Sequence, residues 1–298
     1  MNESIRSMLR QLRLSGLTET LEVRLHEASG NRLSHLEFLE LVLQDEMLVR
    51  DQRKIGRRVK SASFRDQKTL EEFDWNFNPM IKRKQMYELA TGHFIKERRD
   101  VLFCSPPGTG KSHLIQAIGY QLIKLGHVVL YRSIFDVVRD FLHDEAMDGR
   151  DRVMNRYLKP DLLIIDDFGM KELPKRGGEF LFEIVMRRYE TRSTMMTTNR
   201  PLEDWGKLLG DVPTATAILD RFLHHAEIIT IEGRSYRLKD RQREQRGENS
   251  AENSAENSSE SNSNKATETK APPGYTEKEK DSKQAKAPTG STAETTKE

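Results

Sequence analysis

The sequence predicts an α/β protein in which helices cover both faces of a parallel sheet. Short apolar runs alternate with helical patterns between residues 101 and 231, as expected of βαβ units. A phosphate-binding P-loop motif follows the first run, helical patterns alone precede it, and a low-complexity segment comes last. We therefore expect a small helical domain at 1–66, a P-loop core with its linker at 67–242, and a disordered tail at 243–298.

Composition restricts the class of protein. The chain has 298 residues, of which 32% are charged, and no apolar run approaches the roughly 20 residues of a membrane span. Residues 247–298 hold ten acids and seven bases, so the other 246 residues carry a net charge of +5. This excess permits nucleic-acid binding. The single cysteine, Cys104, excludes an intrachain disulfide and fits a reducing cytosol. We expect a cytoplasmic protein without membrane contact.

Three helices are predicted before residue 60. Apolar residues recur at helical spacing from Ile5 to Leu12. Thr18 is expected to cap the second helix. Ser34 and Glu37 form a capping box that opens the third helix.

The third helix ends in a group of cations that we call the basic stripe. Its spacing places most members on one helix face, which suits a nucleic-acid phosphate backbone. A solvated face, or a surface that pairs with acids of a partner, would give the same pattern. The candidate DNA-binding residues are Arg50, Arg53, Lys54, Arg57, Arg58 and Lys60.

Residues 105–112 match the P-loop pattern at every position but the first, where Ser105 replaces glycine. Backbone N–H groups of such a loop and of the helix after it attract an anion. Lys111 can reach the β- and γ-phosphates of ATP, and the Ser112 hydroxyl can bind Mg²⁺. We expect Ser105 to be tolerated with some loss of affinity. The candidate nucleotide-binding residues are Pro107, Gly108, Thr109, Gly110, Lys111 and Ser112.

The remaining elements follow from apolar runs and turn signals. Residues 70–79 are rich in aromatic side chains, which are expected to seat the linker on the core, with the adenine end of the nucleotide site as the alternative. Strands are predicted at 101–104, 128–131, 162–165, 194–198 and 226–231. Helices are predicted at 80–90, 113–122, 134–141, within 144–156, and at 179–190 and 214–223. Ser133 is expected to cap the helix at 134–141.

Acidic and amide side chains end two of these strands. Asp166 is placed to hold Mg²⁺ directly or through water, and Asp167 to orient or deprotonate the attacking water. Paired acids at a strand end can also serve merely as caps. Asn199 ends another strand, at the sheet edge where ligands bind, and can bind the γ-phosphate or the water.

Several arginines are candidates for sensing the nucleotide or for roles between subunits. Arg221 is a candidate arginine finger that completes a neighbouring subunit's site, although a pair with Asp220 is the plain alternative. Arg234 and Arg237 are weaker candidates for sensing the nucleotide. The following arginines could line the central channel of an oligomer: Arg139, Arg150, Arg152 and Arg156.

Several segments together resemble the IstB-type AAA+ ATPases, transposition helper proteins of insertion sequences that are related to the DnaC helicase loader. The segments are LLIIDDFG at 162–169, TTNRPLEDW at 197–205, ILDRFLHHA at 217–225, GRSYRLKDR at 233–241, LRLSGLTETLEVRL at 12–25 and LSHLEFLELVLQDE at 33–46. The resemblance spans about 1–241. It implies a five-stranded AAA+ core, ATP-dependent assembly on DNA and cooperation with a DDE transposase. Family members usually carry Glu where Asp167 stands, and the shorter acid is expected to slow hydrolysis.

We therefore expect a bacterial, DNA-binding ATPase that assists a transposase in target-DNA selection. ATP and Mg²⁺ are its expected cofactors, and its expected partners are double-stranded DNA, a DDE transposase and further copies of itself. Turnover is expected to be slow and to be stimulated by DNA or transposase. A DnaC-like helicase loader and a nucleotide-gated DNA scaffold with little turnover are the alternatives. A small-molecule kinase would need a substrate lid, for which the sequence shows no pattern.

Overall fold

A parallel sheet of five strands forms the centre of the protein. The computed structural model describes residues 2–145, 149–209 and 212–238, which belong to one compact unit. The strands are β1 Asp100–Cys104, β2 Val129–Ser133, β3 Leu162–Phe168, β4 Ser193–Thr198 and β5 Ala226–Thr230. Their order is β2-β3-β4-β1-β5, and every pair is parallel. The predicted sheet is therefore confirmed. The predicted tail at 243–298 lies outside the described residues, and the boundary at residue 66 stays a prediction.

Helices surround the sheet and precede it. They are α1 Glu3–Gln11, α2 Ser15–Asn31, α3 His35–Ala62, α4 Arg83–Ala90, α5 His93–Lys96, α6 Lys111–Lys124, α7 Ile134–Glu145, α8 Arg150–Leu158, α9 Lys175–Arg188, α10 Trp205–Leu209 and α11 Val212–His224. Two 3-10 turns cover Leu202–Asp204 and Tyr236–Leu238. Every predicted helix is present, but α9 begins directly after Pro174, earlier than expected. Helices α5 and α10 were not predicted because they are too short to show a hydrophobic period.

Alternate residues of the strands enter two separate cores. Leu102 and Leu163 pack with α7–α11 on one face, whereas Val101 and Ile164 pack with α4–α6 and the end of α3 on the other. Successive strand side chains point to opposite faces of a sheet. Both faces are thus covered by helices, as expected of an all-parallel sheet.

Helix α3 runs without interruption from the helical module onto the core. Its residues Ile55, Val59 and Ala62 pack against the α4–α6 side. Arg58 donates to the backbone carbonyl of Gly126, just beyond α6. Arg58 turns toward the core because it lies three residues after Ile55 and four before Ala62, on the helix face that they share. Its assignment to the DNA-binding residues stays a prediction.

The start of α2 corrects one prediction. The helix begins at Ser15, and Thr18 does not cap it: its hydroxyl donates to a backbone carbonyl one turn earlier. The cap comes from α3 instead, where a Glu46 carboxylate oxygen accepts from the backbone N–H of Gly16 at 2.7 Å and of Leu17 at 3.1 Å. The predicted caps at Ser34 and Ser133 are confirmed.

Glu46 is a buried charge, with 4% of its surface exposed. Burial opposes its ionisation, but the hydrogen bonds from Arg50 and from the two backbone N–H groups outweigh burial and lower the pKa of Glu46. Beside it, Asp45 accepts two hydrogen bonds of 2.9 Å from Arg24 of α2. These two acids hold α2 against α3.

Among the described residues, no helix combines the length and the apolar character that crossing a bilayer requires.

We expect Glu46→Gln to lower the free energy of unfolding at pH 7 by about 1–2 kcal/mol, because a charged hydrogen-bond acceptor is lost. Since folding lowers the pKa of Glu46, its contribution is present above the unfolded pKa of about 4.3 and is lost as pH falls through the folded value. Urea unfolding of both proteins across this range measures the difference. Glu40→Gln, an exposed change on the same helix, is the control. A difference that does not shrink at acidic pH would contradict a charged cap.

Candidate nucleotide site

A cavity of about 350 Å³ opens beside the P-loop, where β1, β3 and β4 end. Ligands bind at this edge in open parallel sheets. The cavity brings together residues from the P-loop, from two further strand ends and from the linker. The residues that matter for the site are Phe73, Phe77, Asn78, the P-loop positions 107–112, Asp167, Thr197, Asn199, Tyr236 and Arg237.

Two glycines make the P-loop possible. Gly108 and Gly110 have φ values of +83° and +100°, which side chains rarely adopt. A Cβ at Gly110 would lie 2.8 Å from the ring of Phe73, and one at Gly108 would lie 2.0 Å from the Ser235 hydroxyl. The loop therefore needs glycine at both positions.

Ser105 does not need to be glycine. Its φ is not positive, unlike those of Gly108 and Gly110, and its hydroxyl lies 2.5 Å from the hydroxyl of Thr109. Thr109 also donates to the carbonyl of Pro106 at 3.0 Å. The Ser105 side chain therefore stabilises the P-loop through its contact with Thr109. Any effect on nucleotide affinity stays a prediction.

The Lys111 ammonium is fixed at the floor of the cavity. It donates to the carbonyl oxygens of Ser105 at 2.7 Å and of Pro106 at 2.9 Å. Burial lowers the pKa of Lys111, and the carboxylates of Asp166 and Asp167 oppose that shift. The Lys111 ammonium lines the cavity in which the phosphates of a nucleotide would lie.

The two acids after β3 point in different directions. Asp166 is fully buried and accepts hydrogen bonds from Tyr131, at 2.7 Å, and from Thr197. Asp167 has a φ of +63° and lines the cavity. Its Oδ2 lies 2.8 Å from Nη1 of Arg65. Arg65 was not predicted as a site residue, because nothing local in the sequence marks a cation just after α3 as the partner of a strand end.

Two orphaned polar atoms belong to the cavity wall. The side chains of Asn199 and Asn78 both line the cavity, and neither Oδ1 of Asn199 nor Nδ2 of Asn78 has a hydrogen-bond partner among the described residues. Buried polar atoms are nearly always paired, so these are positions where a ligand can complete the bonding. These two amides, the loop glycines Gly108 and Gly110, and Lys111 together fit a nucleoside triphosphate.

The linker aromatics contribute to the site as well as to the core. Phe73 packs edge-on against Trp75 and His113, and it also lines the cavity with Phe77. Tyr236 packs edge-on against Phe77, and its backbone N–H donates to the carbonyl of Gly108 at 2.8 Å. The alternative that placed these rings beside the nucleotide thus gains support.

The other arginine candidates do not share one location. Arg221 pairs with Asp220 and lies 5.7 Å from the ring centre of Tyr189, outside the cavity wall. Arg237 lines the cavity and Arg234 does not. Three of the channel candidates pair with acids of their own chain: Arg139 with Asp136, Arg150 with Glu183, and Arg156 with Asp140. Their roles in an oligomer stay predictions.

The basic stripe is divided by its contacts. Arg50 pairs with Glu46 at 2.7 Å and Arg53 with Glu19 at 3.5 Å. Lys54, Arg57 and Lys60 are exposed, and no ion pair is recorded for them within the part of the chain that the structure describes. These three are the cations most available to a partner.

The order of the strands defines the class of protein. Strand β4, which leads to Asn199, lies between the P-loop strand β1 and the acid-bearing strand β3, so the acids face the P-loop across one strand. This is the arrangement of AAA+ proteins within the P-loop class. Sequence comparison gives the family: residues 7–244 match the IstB-like ATP binding protein family, and the chain belongs to it.

Individual relatives agree with this assignment. The chain is 35% identical over 236 residues to a protein from Pseudomonas aeruginosa named as an ATP-binding protein of insertion sequence IS21, covering 79% of this chain and 89% of the relative. It is 31% identical over 245 residues to the corresponding protein of IS5376 from Geobacillus stearothermophilus, covering 82% and 98%.

Solved structures also resemble the chain. The DnaC helicase loader matches with a TM-score of 0.44 at 20% identity, over 53% of this chain and 97% of that one. AMPPCP-bound DnaA from Aquifex aeolicus matches with a TM-score of 0.47 at 22% identity, over 63% and 57%.

We expect Gly110→Ala to weaken ATP binding at least about tenfold, or about 1.4 kcal/mol, because its Cβ meets the Phe73 ring and its φ is left-handed. Ser105→Ala is expected to change the affinity by less than about threefold, because Thr109 keeps its bond to Pro106. Titration with a fluorescent ATP analogue measures both. Equal losses in the two variants would contradict this division of roles.

Proposed function

We propose that this protein is an ATP-dependent, DNA-binding AAA+ ATPase that assists a DDE transposase in selecting target DNA for an insertion sequence. The observation that carries the proposal is the single cavity shared by Lys111, Asp167 and Asn199. Membership of the IstB-like family supports the transposition context, because the relatives are named for insertion sequences. The same names favour transposition over helicase loading.

The residues have distinct tasks in this proposal. Lys111 binds the β- and γ-phosphates and, with the loop N–H groups, offsets their charge. Asp167 accepts the proton of the attacking water or orients that water, and the Asn199 amide holds the water or the γ-phosphate. When bound, Mg²⁺ would neutralise charge on the phosphate oxygens. Ser112, which lines the cavity, is proposed to hold it directly, and Asp166, whose oxygens accept from Tyr131 and Thr197, to hold it through water.

Assembly is proposed to complete the site. Arg221 lies outside its own cavity, with 44% of its side chain exposed, so it can approach a neighbouring subunit. An arginine supplied in trans stabilises charge that develops on the transferred phosphate. ATP bound between subunits would then favour the oligomer that binds duplex DNA.

Two observations favour the alternative of a DNA scaffold with little ATP turnover. The carboxylate of Asp167 is already engaged by Arg65 at 2.8 Å, and an aspartate stands where the family usually has glutamate. A protein that binds ATP and DNA but turns over little would have these features.

We expect duplex DNA to stimulate ATP hydrolysis by the purified protein, and we expect Lys111→Ala and Arg221→Ala each to remove that stimulation. Lys111→Ala loses the phosphate contact, and we expect it also to lose ATP-dependent DNA binding. Phosphate release with and without DNA is the measurement. If Arg221 acts in trans, mixing the two variants restores part of the activity, because some interfaces then combine an intact Lys111 with an intact Arg221.

The same assay separates the alternatives. Nucleotide binding without turnover, in the presence and absence of DNA, would favour the scaffold. DNA binding by Lys111→Ala that is unchanged at several salt concentrations would contradict an ATP-gated switch. Activity of Arg221→Ala equal to that of the wild type would leave Arg221 as a partner of Asp220 only.

We expect Lys54→Glu combined with Arg57→Glu to weaken duplex DNA binding and to reduce the slope of log affinity against log salt by about 2, because each phosphate contact contributes about one counterion. Binding is measured by fluorescence anisotropy across salt concentrations. Lys82→Glu with Lys84→Glu makes the same change in net charge on exposed residues of the α4 region and is the control. An unchanged slope in the first pair would place the DNA elsewhere.

A further inference from the structure

Helix α3 connects the basic stripe to the nucleotide site through one rigid element. Lys54, Arg57 and Lys60 occupy its exposed side, while Ile55 and Val59 pack on the core. A helix transmits displacement along its axis because its backbone hydrogen bonds are all internal. A displacement of α3 caused by DNA bound to the basic stripe therefore reaches Ala62, the last residue of the helix.

The chain after α3 is anchored to the P-loop helix at two points. The ring of Phe64 lies against Gly119, where an added Cβ would be 3.1 Å from it. The backbone N–H of Asp66 donates to Oε1 of Gln116 at 3.1 Å, and Nε2 of Gln116 donates to the carbonyl of Ser112 at 2.9 Å. Arg65 stands between these anchors, so α6 holds the backbone on both sides of it, and Ser63 and Phe64 connect it to Ala62 at the end of α3.

Arg65 reaches the acid that the proposed function makes catalytic. Its Nη1 lies 2.8 Å from Oδ2 of Asp167. The backbone of Asp167 is held in turn, because its N–H is hydrogen-bonded by Thr197 and Asp166. The side chain of Asp167 is therefore shared between the cavity, which it lines, and a guanidinium outside the cavity wall.

We propose that Arg65 is a positioning residue that restrains Asp167, and that DNA bound to the basic stripe relieves this restraint through α3. The proposal rests on the proposed function, in which Asp167 acts on the attacking water. A carboxylate oxygen that accepts from arginine is less available to accept from water. The arginine side chain is 48% exposed, and exposed pairs are weak, so a small displacement of α3 suffices to open this one.

The test compares two substitutions of Arg65. Arg65→Met keeps the aliphatic stem and removes the donors. We expect it to raise the basal kcat without DNA by about three- to fivefold, the range of a weak ion pair, to leave KM for ATP unchanged, and to flatten the response to DNA. Arg65→Lys keeps a cation and is expected to restore restraint and response. Lys68→Met, at a neighbouring cation, is the control for changes in charge and folding.

A double substitution assigns the effect to Asp167. In the Asp167→Asn background, Arg65→Met is expected to change kcat by less than about 1.5-fold, since interacting residues are not additive. A fall in basal kcat on Arg65→Met would overturn the restraint and would indicate a direct contact with the reacting phosphate. An unchanged basal kcat would overturn it as well, as would an equal effect of Arg65→Met in the two backgrounds.

Failure of the proposed function gives a different pattern. If the wild-type protein does not bind duplex DNA, the proposed DNA-binding function is wrong, and so is the proposal that DNA relieves the restraint on Asp167. The basal comparison of wild type with Arg65→Met is made without DNA, so it still decides whether Arg65 restrains Asp167. If Arg65→Met shows no turnover above that of Asp167→Asn, the restraint is refuted.

Discussion

The parallel pairing of β4 with both β1 and β3 is the constraint on which the nucleotide site depends. Thr198 is paired with the last residue of β1 on one side and with Phe168 of β3 on the other, so the P-loop and the two acids leave the sheet at the same level. Between Ile165 and Phe168 the register shifts. Such an irregularity redirects side chains. Consecutive acids here have different surroundings: Asp166 accepts hydrogen bonds from Tyr131 of β2 and Thr197 of β4, whereas Asp167 lines the cavity.

Local signals were enough to predict most of the fold. Each strand is a short apolar run, and P-loop glycines mark left-handed backbone, so β1–β5 and the loop were recognised without any knowledge of their contacts. The acids and Asn199 could be placed at one edge because parallel strands share their carboxyl ends. Short helices were not predicted, because a helix such as α10, with five residues, is too short to show a hydrophobic period.

The one wrong cap and the contacts that were not predicted share one physical cause. Thr18 looked like a cap because its residue type suits one, yet α2 is capped by Glu46 from another helix. The contact of Arg58 with the carbonyl of Gly126, beyond α6, had no signal in the sequence either. Arg65 carried no signal at all, although it contacts Asp167. Each depends on a contact between residues distant in sequence, and such contacts leave no periodic pattern.

The GRSYRLKDR motif, of which the structure describes residues 233–238, has a structural task beside the cavity. Residues 233–237 contact both the P-loop and the linker. The backbone N–H of Tyr236 donates to the carbonyl of Gly108, and a Cβ at Gly233 would lie 2.6 Å from the side-chain amide of Asn78. Gly233 has a φ of +144°, which favours glycine on its own. The segment therefore ties the linker to the P-loop. Because it packs against the loop that would hold the phosphates, loss of this packing would disturb the cavity even though every catalytic candidate stayed in place.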